Sequence, residues 1–299
     1  MNTKRLARTA LAVIVTVGIV VAIIVGCGPK WGNGTATGKT GSQSTATAHT
    51  AATVDVQLPS YYMDNMVFQR DQPIVVKGNV SSTESNPIDV SKLSATLTQG
   101  KTSESVKAKA AKNGSFTCTL SAQKASLNPY SLQVQYAGKT VLKVYVGDVF
   151  VAAGQSNMEL NYVQYYENAT YNFGNGLITT GDLPKPLVDD NVKFVIANHD
   201  VEDTDFPLSA VNQSADAWLT ADSTNSLHLS YLAQQFAMQL RAKHPNVPIG
   251  IIQTAWGGTP IRWHVQGGDI YANHIAPLKG FHVAGVLWYQ GCDDANNYG

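Results

Sequence analysis

The sequence has few charged residues and few cysteines, and each shortage excludes a class of protein. Of its 299 residues, 14% are charged and the formal net charge is zero, so the basic excess that a nucleic-acid surface needs is missing. The three cysteines, Cys27, Cys118 and Cys292, are far apart and include no Cys-x-x-Cys pair, which argues against a zinc site. We therefore expect no zinc site and no nucleic-acid partner. We also expect no disulfide between Cys118 and Cys292, because they fall in different predicted domains.

The longest uncharged apolar run is at the N-terminus and is typical of an export signal. Basic residues within 4–8 precede an apolar run over 9–26, which ends in Ile-Val-Gly before Cys27. This ending resembles the lipobox of bacterial lipoproteins, which implies cleavage before Cys27 and a diacylglycerol on its sulfur. The alternative is an uncleaved anchor helix, since about 18 apolar residues can just span a bilayer. Both interpretations predict an extracytoplasmic, membrane-anchored protein whose residues 1–27 are the signal or anchor.

The next segment, residues 28–53, is rich in Gly, Ser, Thr and Ala. It shows no apolar period and cannot bury a core. We interpret it as a flexible linker between the N-terminal segment and the folded part of the chain.

Short alternating patterns then predict strands over 54–145. Apolar and polar residues alternate with period two in several runs, separated by Gly and Asn-Gly turn signals. The apolar positions are Leu93, Ala95 and Leu97, then Val106, Ala108 and Ala110, then Phe116, Cys118 and Leu120, then Leu132, Val134 and Tyr136. This pattern predicts a small antiparallel β-sandwich domain, with Cys118 in its core.

From residue 146 the pattern changes to that of an α/β domain, predicted over 146–299. Continuous apolar runs are typical of strands buried on both faces, and a helical spacing over 229–240 stops before Pro245. The runs cover 149–153, 192–197, 249–252 and 283–289. Alternating strands and helices favour a mostly parallel sheet with helices on both faces. Such sheets bind ligands at the carboxyl ends of their strands.

Three polar motifs follow predicted strands at that edge of the sheet. They are Gly-Gln-Ser-Asn at 154–157, Trp-Gly-Gly at 256–258 and Tyr-Gln-Gly at 289–291. A serine just past a strand can present its hydroxyl for nucleophilic attack and its own N–H to the oxyanion. Each motif alone also has an ordinary interpretation, as a helix cap, a tight glycine turn and a strand end.

Together and in this order, the motifs resemble the first three blocks of the SGNH-hydrolase superfamily, and within it the sialate O-acetylesterase family. Asp-Asn-Met-Val-Phe-Gln-Arg at 64–70 and His-Ile-Ala-Pro-Leu at 274–278 resemble further segments of that family. The resemblance covers residues 58–297. It implies an SGNH-hydrolase-like parallel sheet flanked by helices, incomplete at its C-terminal side and preceded by the small β-sandwich domain.

The resemblance also implies a serine mechanism that uses no metal and no cofactor. Ser156 would attack an acetyl carbonyl and form an acyl-enzyme. The Ser156 N–H, a backbone N–H at Gly257 or Gly258, and the Gln290 side chain would form the oxyanion hole. The partner would be an acetylated sugar or glycan, with the acetyl ester on sialic acid or on a polysaccharide such as xylan.

Aromatic side chains near the motifs have two interpretations. Trp256, Trp263 or Tyr289 would stack on a sugar, or they would pack in the core. We favour core packing for Tyr289 and Trp288.

The chain departs from the family in several places. Arg262 and Cys292 stand where the family usually has Glu, and Asp294 lies near the family's following Asn. The family's general base belongs to an Asp-x-x-His block, and none of the aspartates here has a histidine three residues later. A serine without a base is a weak nucleophile. Two hypotheses stay open: a fragment of an active lipoprotein acetylesterase, or a complete, non-catalytic carbohydrate-binding or interaction protein. An esterase acting on unrelated small esters is a third.

Overall fold

A computed structural model describes residues 54–82, 88–110, 114–136, 138–164, 185–197 and 217–297. The predicted signal or anchor and the predicted linker lie outside the described residues. Among the helices within these ranges, none is long and apolar enough to cross a membrane.

Strands dominate the described residues. In chain order they are β1 (Val54–Gln57), β2 (Val67–Gln69), β3 (Ile74–Ser82), β4 (Ser94–Gln99), β5 (Thr102–Lys107), β6 (Lys109–Ala110), β7 (Ser115–Leu120), β8 (Ser126–Gln135), β9 (Lys139–Gly154), β10 (Asp189–Ile196), β11 (Leu219–Ala221), β12 (Ile249–Gln253) and β13 (Gly285–Tyr289). The α-helices are α1 (Ser156–Glu159), α2 (Tyr231–Lys243), α3 (Ile261–His264) and α4 (Cys292–Asn297). Single turns of 3₁₀-helix cover Val90–Lys92, Asn225–Leu227 and Ala276–Leu278, and a π-helical turn covers Tyr271–Ile275.

The N-terminal strands form two antiparallel layers. Strands β1, β3, β7 and β6 make a four-stranded sheet in the order β1-β3-β7-β6. Strands β8, β4 and β5 end a nine-stranded sheet, and the inward residues of both layers share one core. The alternating residues Ala95 and Leu97 on β4 and Phe116 and Leu120 on β7 are buried, which confirms these predicted strands. Cys118 is fully buried on β7, as predicted for a core residue.

The sixteen-residue strand β9 joins the two halves of the fold. Its first part pairs antiparallel with β8 and parallel with β2, whereas its second part pairs parallel with β12 and β13. The continuous strand runs through the predicted domain boundary after residue 145. The result is a mixed sheet flanked by few helices, with an N-terminal sheet region, which confirms the predicted α/β fold class.

The second half of the large sheet runs in the order β11-β10-β12-β9, with β13 on the other side of β9. Helix α2 covers one face, where Ala152, Phe194 and Ile251 are buried. The opposite residues Val151 and Ile252 pack in the other core, together with residues of the segments 61–68 and 275–283. Burial on both faces confirms the interpretation of these continuous apolar runs as interior strands.

Helix α2 covers most of the helical spacing that the sequence shows over 229–240, but it begins at Tyr231, and it ends before Pro245 as predicted. The Ser230 hydroxyl caps its first turn by accepting a hydrogen bond from the Ala233 N–H, at 3.2 Å. The helix ends at Lys243, two residues before Pro245. The cap residue also fixes α2 to the sheet, because the Ser230 N–H donates to the Gln253 side chain at the end of β12.

Strand β13 is more exposed than the sequence predicts. The apolar run over 283–289 favours an interior strand, yet Val286, Trp288 and Tyr289 are 57%, 48% and 46% exposed. The expectation that Trp288 and Tyr289 pack in the core is therefore wrong for this structure. The physical reason is that, among the described residues, β13 pairs with β9 alone and has no strand along its other edge.

Candidate active site

The three polar motifs meet at one edge of the sheet. Strands β9, β12 and β13 are parallel, so their carboxyl ends lie together. Gln253 at the end of β12 aligns with Ala152, and Tyr289 at the end of β13 aligns with Gly154. The structure thus brings together chain segments that are far apart in sequence, as the strand order predicts.

Gly154 lets β9 pass close to β13 before the chain turns into α1. Its φ is +128°, and a Cβ there would lie 2.1 Å from the Tyr289 carbonyl oxygen. The next residue, Gln155, is buried, and its N–H donates to the same Tyr289 carbonyl at 2.9 Å. Its side-chain oxygen accepts from the Asp293 N–H at 3.2 Å. These contacts fix the position at which α1 begins.

Ser156 is the first residue of α1 and is exposed at the sheet edge. Within the described ranges, its hydroxyl and its N–H make no hydrogen bond, and only its carbonyl is engaged, by the Leu160 N–H. None of the described histidines is hydrogen-bonded to this hydroxyl. The serine therefore presents two uncommitted polar groups to solvent, as a nucleophile with its own oxyanion donor would.

The turn after β12 lies against Ser156. The Trp256 N–H donates to the Gly154 carbonyl at 2.9 Å, which anchors the turn to β9. A Cβ on Gly257 would lie 3.3 Å from the Ser156 Cβ, so the two residues are in direct contact. The following Gly258 has φ +69°, and a Cβ there would meet open space. Glycine at 257 allows the close approach, and glycine at 258 allows the left-handed backbone.

The predicted oxyanion donors at Gly257 and Gly258 differ in this structure. The Gly257 N–H donates to the Glu159 Oε2 at 2.5 Å, so a protein carboxylate already occupies it. The Gly258 N–H donates to no other described residue. Of the two alternatives that the sequence leaves open, Gly258 is the one whose amide faces no acceptor among the described residues.

The inside of the turn is held by a threonine and a buried histidine. The Thr259 hydroxyl donates to the Trp256 carbonyl at 2.6 Å, and its oxygen lies 2.8 Å from His264 Nε2. Because the single hydroxyl hydrogen points at Trp256, the histidine must donate, which places its proton on Nε2. Burial lowers the pKa of His264, against the opposing effect of the Asp294 carboxylate, and so favours this neutral tautomer. The ring also packs edge-on against Trp288, at 5.5 Å between centroids.

The Gln290 side chain points toward the protein. Its Nε2 donates to the Asp294 carboxylate and, at 3.3 Å, to the Thr259 carbonyl. Both amide hydrogens are therefore engaged, and neither is directed at an incoming ligand. Asp294 in turn accepts from the Ile261 N–H at 2.9 Å. The hydrogen bond from Gln290, with that from Ile261 and the charge of Arg262, holds the pKa of Asp294 below its usual value, against the effect of burial.

Cys292 lies beside Asn157, the residue that follows Ser156. It is exposed and free, and its Sγ accepts a hydrogen bond from Asn157 Nδ2 at 3.3 Å. Cys118 is also free, so the two cysteines form no disulfide with each other in this structure. Within the part of the chain that the structure describes, no group of three His, Cys, Asp or Glu side chains is arranged to hold a metal ion.

The aromatic residues near the motifs have different surroundings. Trp256 is half-buried and stacks on the buried His274, with 5.9 Å between ring centroids and 23° between planes. Trp263 is also half-buried, whereas Tyr289 and Trp288 are exposed on β13. Stacking on a sugar needs an exposed aromatic ring. Among these four residues, Trp288 and Tyr289 are the most exposed, although the sequence favours core packing for both.

Sequence patterns do not predict the contacts of Glu159 and His264. The Glu159 carboxylate and the Gly257 amide are 98 residues apart, and His264 is one of several histidines with no distinguishing context. For Glu159, the family resemblance implies a residue that shapes the loop and does not react, and its spacing places it three residues after Ser156, one helical turn along α1.

Comparisons with known proteins agree with the three-motif interpretation. The model of a family described as carbohydrate esterase, sialic acid-specific acetylesterase, matches residues 146–298. Sialate O-acetylesterases from Homo sapiens and Pongo abelii are each 28% identical over 182 residues, covering 51% of this chain and 32% of their own length. A solved carbohydrate acetylesterase from Xanthomonas citri is 28% identical, with a TM-score of 0.59, covering 81% of this chain and 52% of that one. The chain thus spans about a third of the length of the curated relatives and half that of the solved structure.

Proposed function

The chain belongs to the carbohydrate esterase family of sialic acid-specific acetylesterases, and on that premise we propose that it hydrolyses acetyl esters on sugars through Ser156. The observation that carries the proposal is the position of Ser156. It is exposed at the carboxyl end of the central strand, its hydroxyl and N–H are uncommitted among the described residues, and the Gly257-Gly258 turn touches it.

The proposed reaction has two steps. The Ser156 oxygen attacks the acetyl carbonyl carbon, the hydroxyl proton passes to a base, and the sugar leaves as its alcohol with a proton restored to its oxygen. Water then attacks the acetyl-serine, which releases acetate and returns the proton to the serine oxygen. The carbonyl oxygen becomes negatively charged in both steps and needs N–H donors.

The two proposed donors are the N–H groups of Ser156 and Gly258, and the proposal is supported by the fact that neither donates to another described residue. Loss of one such donor typically raises the barrier by roughly 3–4 kcal/mol. The Gln290 amide supplies a third only if it leaves Asp294 and the Thr259 carbonyl. The relatives' names support an acetylated sugar as substrate, sialic acid or a polysaccharide sugar.

None of the described residues is placed to accept the proton of the Ser156 hydroxyl. None of the described histidines contacts Ser156, and no Asp-x-x-His occurs in the sequence. This favours a second candidate function, a carbohydrate-binding or interaction protein that recognises acetylated glycans without hydrolysing them.

An acetate-release assay separates the two functions. The full chain is incubated with O-acetylated sialic acid and with acetylated xylan, with and without added imidazole as an external base. We expect weak acetate release that imidazole increases, that Ser156→Ala reduces to the rate without protein, and that the control Ser131→Ala leaves unchanged. Ser131 is a suitable control because it is an exposed serine on β8, outside the three motifs. Glycan binding with no release dependent on Ser156 would instead support the second function.

We also propose that residues 1–27 attach the protein to a membrane outside the cytoplasm, by a lipid on Cys27. In a bacterial host, radioactive palmitate should label the wild-type chain in the membrane fraction but not Cys27→Ala. Membrane attachment of both chains without label would identify an uncleaved anchor helix. Recovery of the wild-type chain in the cytoplasmic fraction would exclude both.

A further inference from the structure

Glu159 connects the nucleophile's helix to the neighbouring turn. It is the last residue of α1, three residues after Ser156, and its carboxylate accepts the Gly257 N–H at 2.5 Å. A Cβ on Gly257 would lie 2.7 Å from the same oxygen and 3.3 Å from the Ser156 Cβ. Gly257 is therefore in contact with both Ser156 and Glu159 at the centre of the site.

We propose that Glu159 is a positioning residue that sets the distance between Ser156 and the turn at 256–258, an inference that rests on the proposed esterase function. By occupying the Gly257 N–H, the carboxylate orients the turn so that the Gly258 N–H remains for the substrate's carbonyl oxygen. Substrate geometry is sensitive to such distances, because a displacement of about 1 Å can reduce a rate on the order of 10²-fold.

The charge of Glu159 argues against a direct role in stabilising the reaction. Negative charge develops on the substrate oxygen beside it, and like charges at short range repel. The hydrogen bond to the Gly257 N–H needs only an oxygen acceptor, which a neutral glutamine also carries. A positioning role therefore predicts that Glu159→Gln keeps the turn in place and remains active. In Glu159→Ala, the turn should move and the activity should fall.

The position of the Gly257 amide can be observed without any assay of activity. Labelling tryptophan with ¹³C at its carbonyl and glycine with ¹⁵N selects Trp-Gly pairs, which occur only at 31–32 and 256–257 in this sequence. The Gly257 signal is assigned in the full chain as the one that disappears in Trp256→Phe. We expect its proton signal downfield and slow to exchange with solvent in the wild type and in Glu159→Gln, but shifted upfield and fast to exchange in Glu159→Ala.

Acetate release by the same variants completes the test. We expect Glu159→Gln to keep its rate within a few-fold, and Glu159→Ala to lose on the order of 10²-fold in kcat with little change in KM. Glu104→Ala is the matched control, because Glu104 also accepts a backbone N–H, that of Ser121, far from the motifs. It should change neither the Gly257 signal nor the rate.

Two results would overturn the proposal. An unchanged Gly257 signal in Glu159→Ala would show that the carboxylate does not hold the turn. A Glu159→Gln variant that keeps the signal but loses activity as Glu159→Ala does would show that Glu159 acts through its charge or its proton. If the wild type releases no acetate dependent on Ser156, the proposed function fails, and the Gly257 signal alone decides whether Glu159 holds the turn.

Discussion

The start of α1 and the turn after β12 lie side by side, but they use their polar groups differently. In the turn, side chains from other segments engage the Gly257 N–H, the Thr259 hydroxyl and carbonyl, and the Ile261 N–H. At the start of α1, the Ser156 hydroxyl and N–H make no hydrogen bond within the described ranges. N–H groups that are engaged in a hydrogen-bond network stabilise the fold but are not available to a ligand. Uncommitted N–H groups at a fixed backbone position are available to a ligand.

This contrast changes how the motifs are interpreted. The predicted oxyanion donors are the Gln290 side chain and a backbone N–H at Gly257 or Gly258. Yet the Gly257 N–H donates to the Glu159 carboxylate, and the Gln290 amide donates to the Asp294 carboxylate and the Thr259 carbonyl. In the described geometry, Gly257 and Gln290 build the turn. The Ser156 and Gly258 amides remain as the groups that are uncommitted.

The largest effect is expected where the two regions touch. In Gly257→Ala, the added Cβ would lie 2.7 Å from the Glu159 carboxylate oxygen and 3.3 Å from the Ser156 Cβ, so the Glu159 carboxylate must leave the Gly257 N–H or the turn must move away from Ser156. We expect acetate release to fall on the order of 10²-fold. Gly138→Ala is the control, because its Cβ would meet open space. An unchanged rate in Gly257→Ala would show that the contact between the two regions does not matter.

A smaller effect is expected inside the turn. His264→Ala removes the donor to the Thr259 hydroxyl and the ring that packs against Trp288. Urea unfolding should show a loss of about 1–3 kcal/mol in unfolding free energy. The exposed His282 provides the control, since His282→Ala should change it by less than about 0.5 kcal/mol. Equal stability of the two variants would mean that the histidine does not hold the turn.

The same histidine predicts a pH dependence. Burial lowers its pKa in the folded state below the ordinary value of about 6.5. The unfolded chain therefore binds the proton more readily, so the stabilisation is fully present above about pH 6.5 and is lost as the pH falls toward the folded-state pKa. Unfolding free energy measured across this range should decline less steeply in His264→Ala than in the wild type.

Much of the fold can be predicted because hydrophobic periodicity is a local property. The alternation at Ala95 and Leu97 and the continuous run at 149–153 are each sufficient to identify strands. The single strand β9 is harder to predict, because its pattern changes from alternating to continuous near residue 145 while its backbone continues. The strands that pair with β9 come from distant segments of the chain. A short stretch of sequence therefore does not show that both halves of the fold share one sheet.

The site shows the same limit. The motifs place Ser156 and Gly257 at one sheet edge because parallel strands bring their ends together. They do not predict which acceptor each donor meets. The Gly257 N–H donates to the Glu159 carboxylate and the Gln290 amide to the Asp294 carboxylate, and both contacts depend on side-chain packing across the edge. The exposure of Trp288 and Tyr289 does not follow from the sequence, because an apolar run indicates a strand but not how many neighbours that strand has.

The central claim is that Ser156 carries the acetyl group during the reaction. The most direct test is mass spectrometry of the full chain after brief incubation with an activated acetyl ester and rapid acid quenching. We predict that one acetyl group is found on the peptide that contains Ser156, and that Ser156→Ala carries none. An acetyl group on another residue, or undiminished acetate release by Ser156→Ala, would contradict the account.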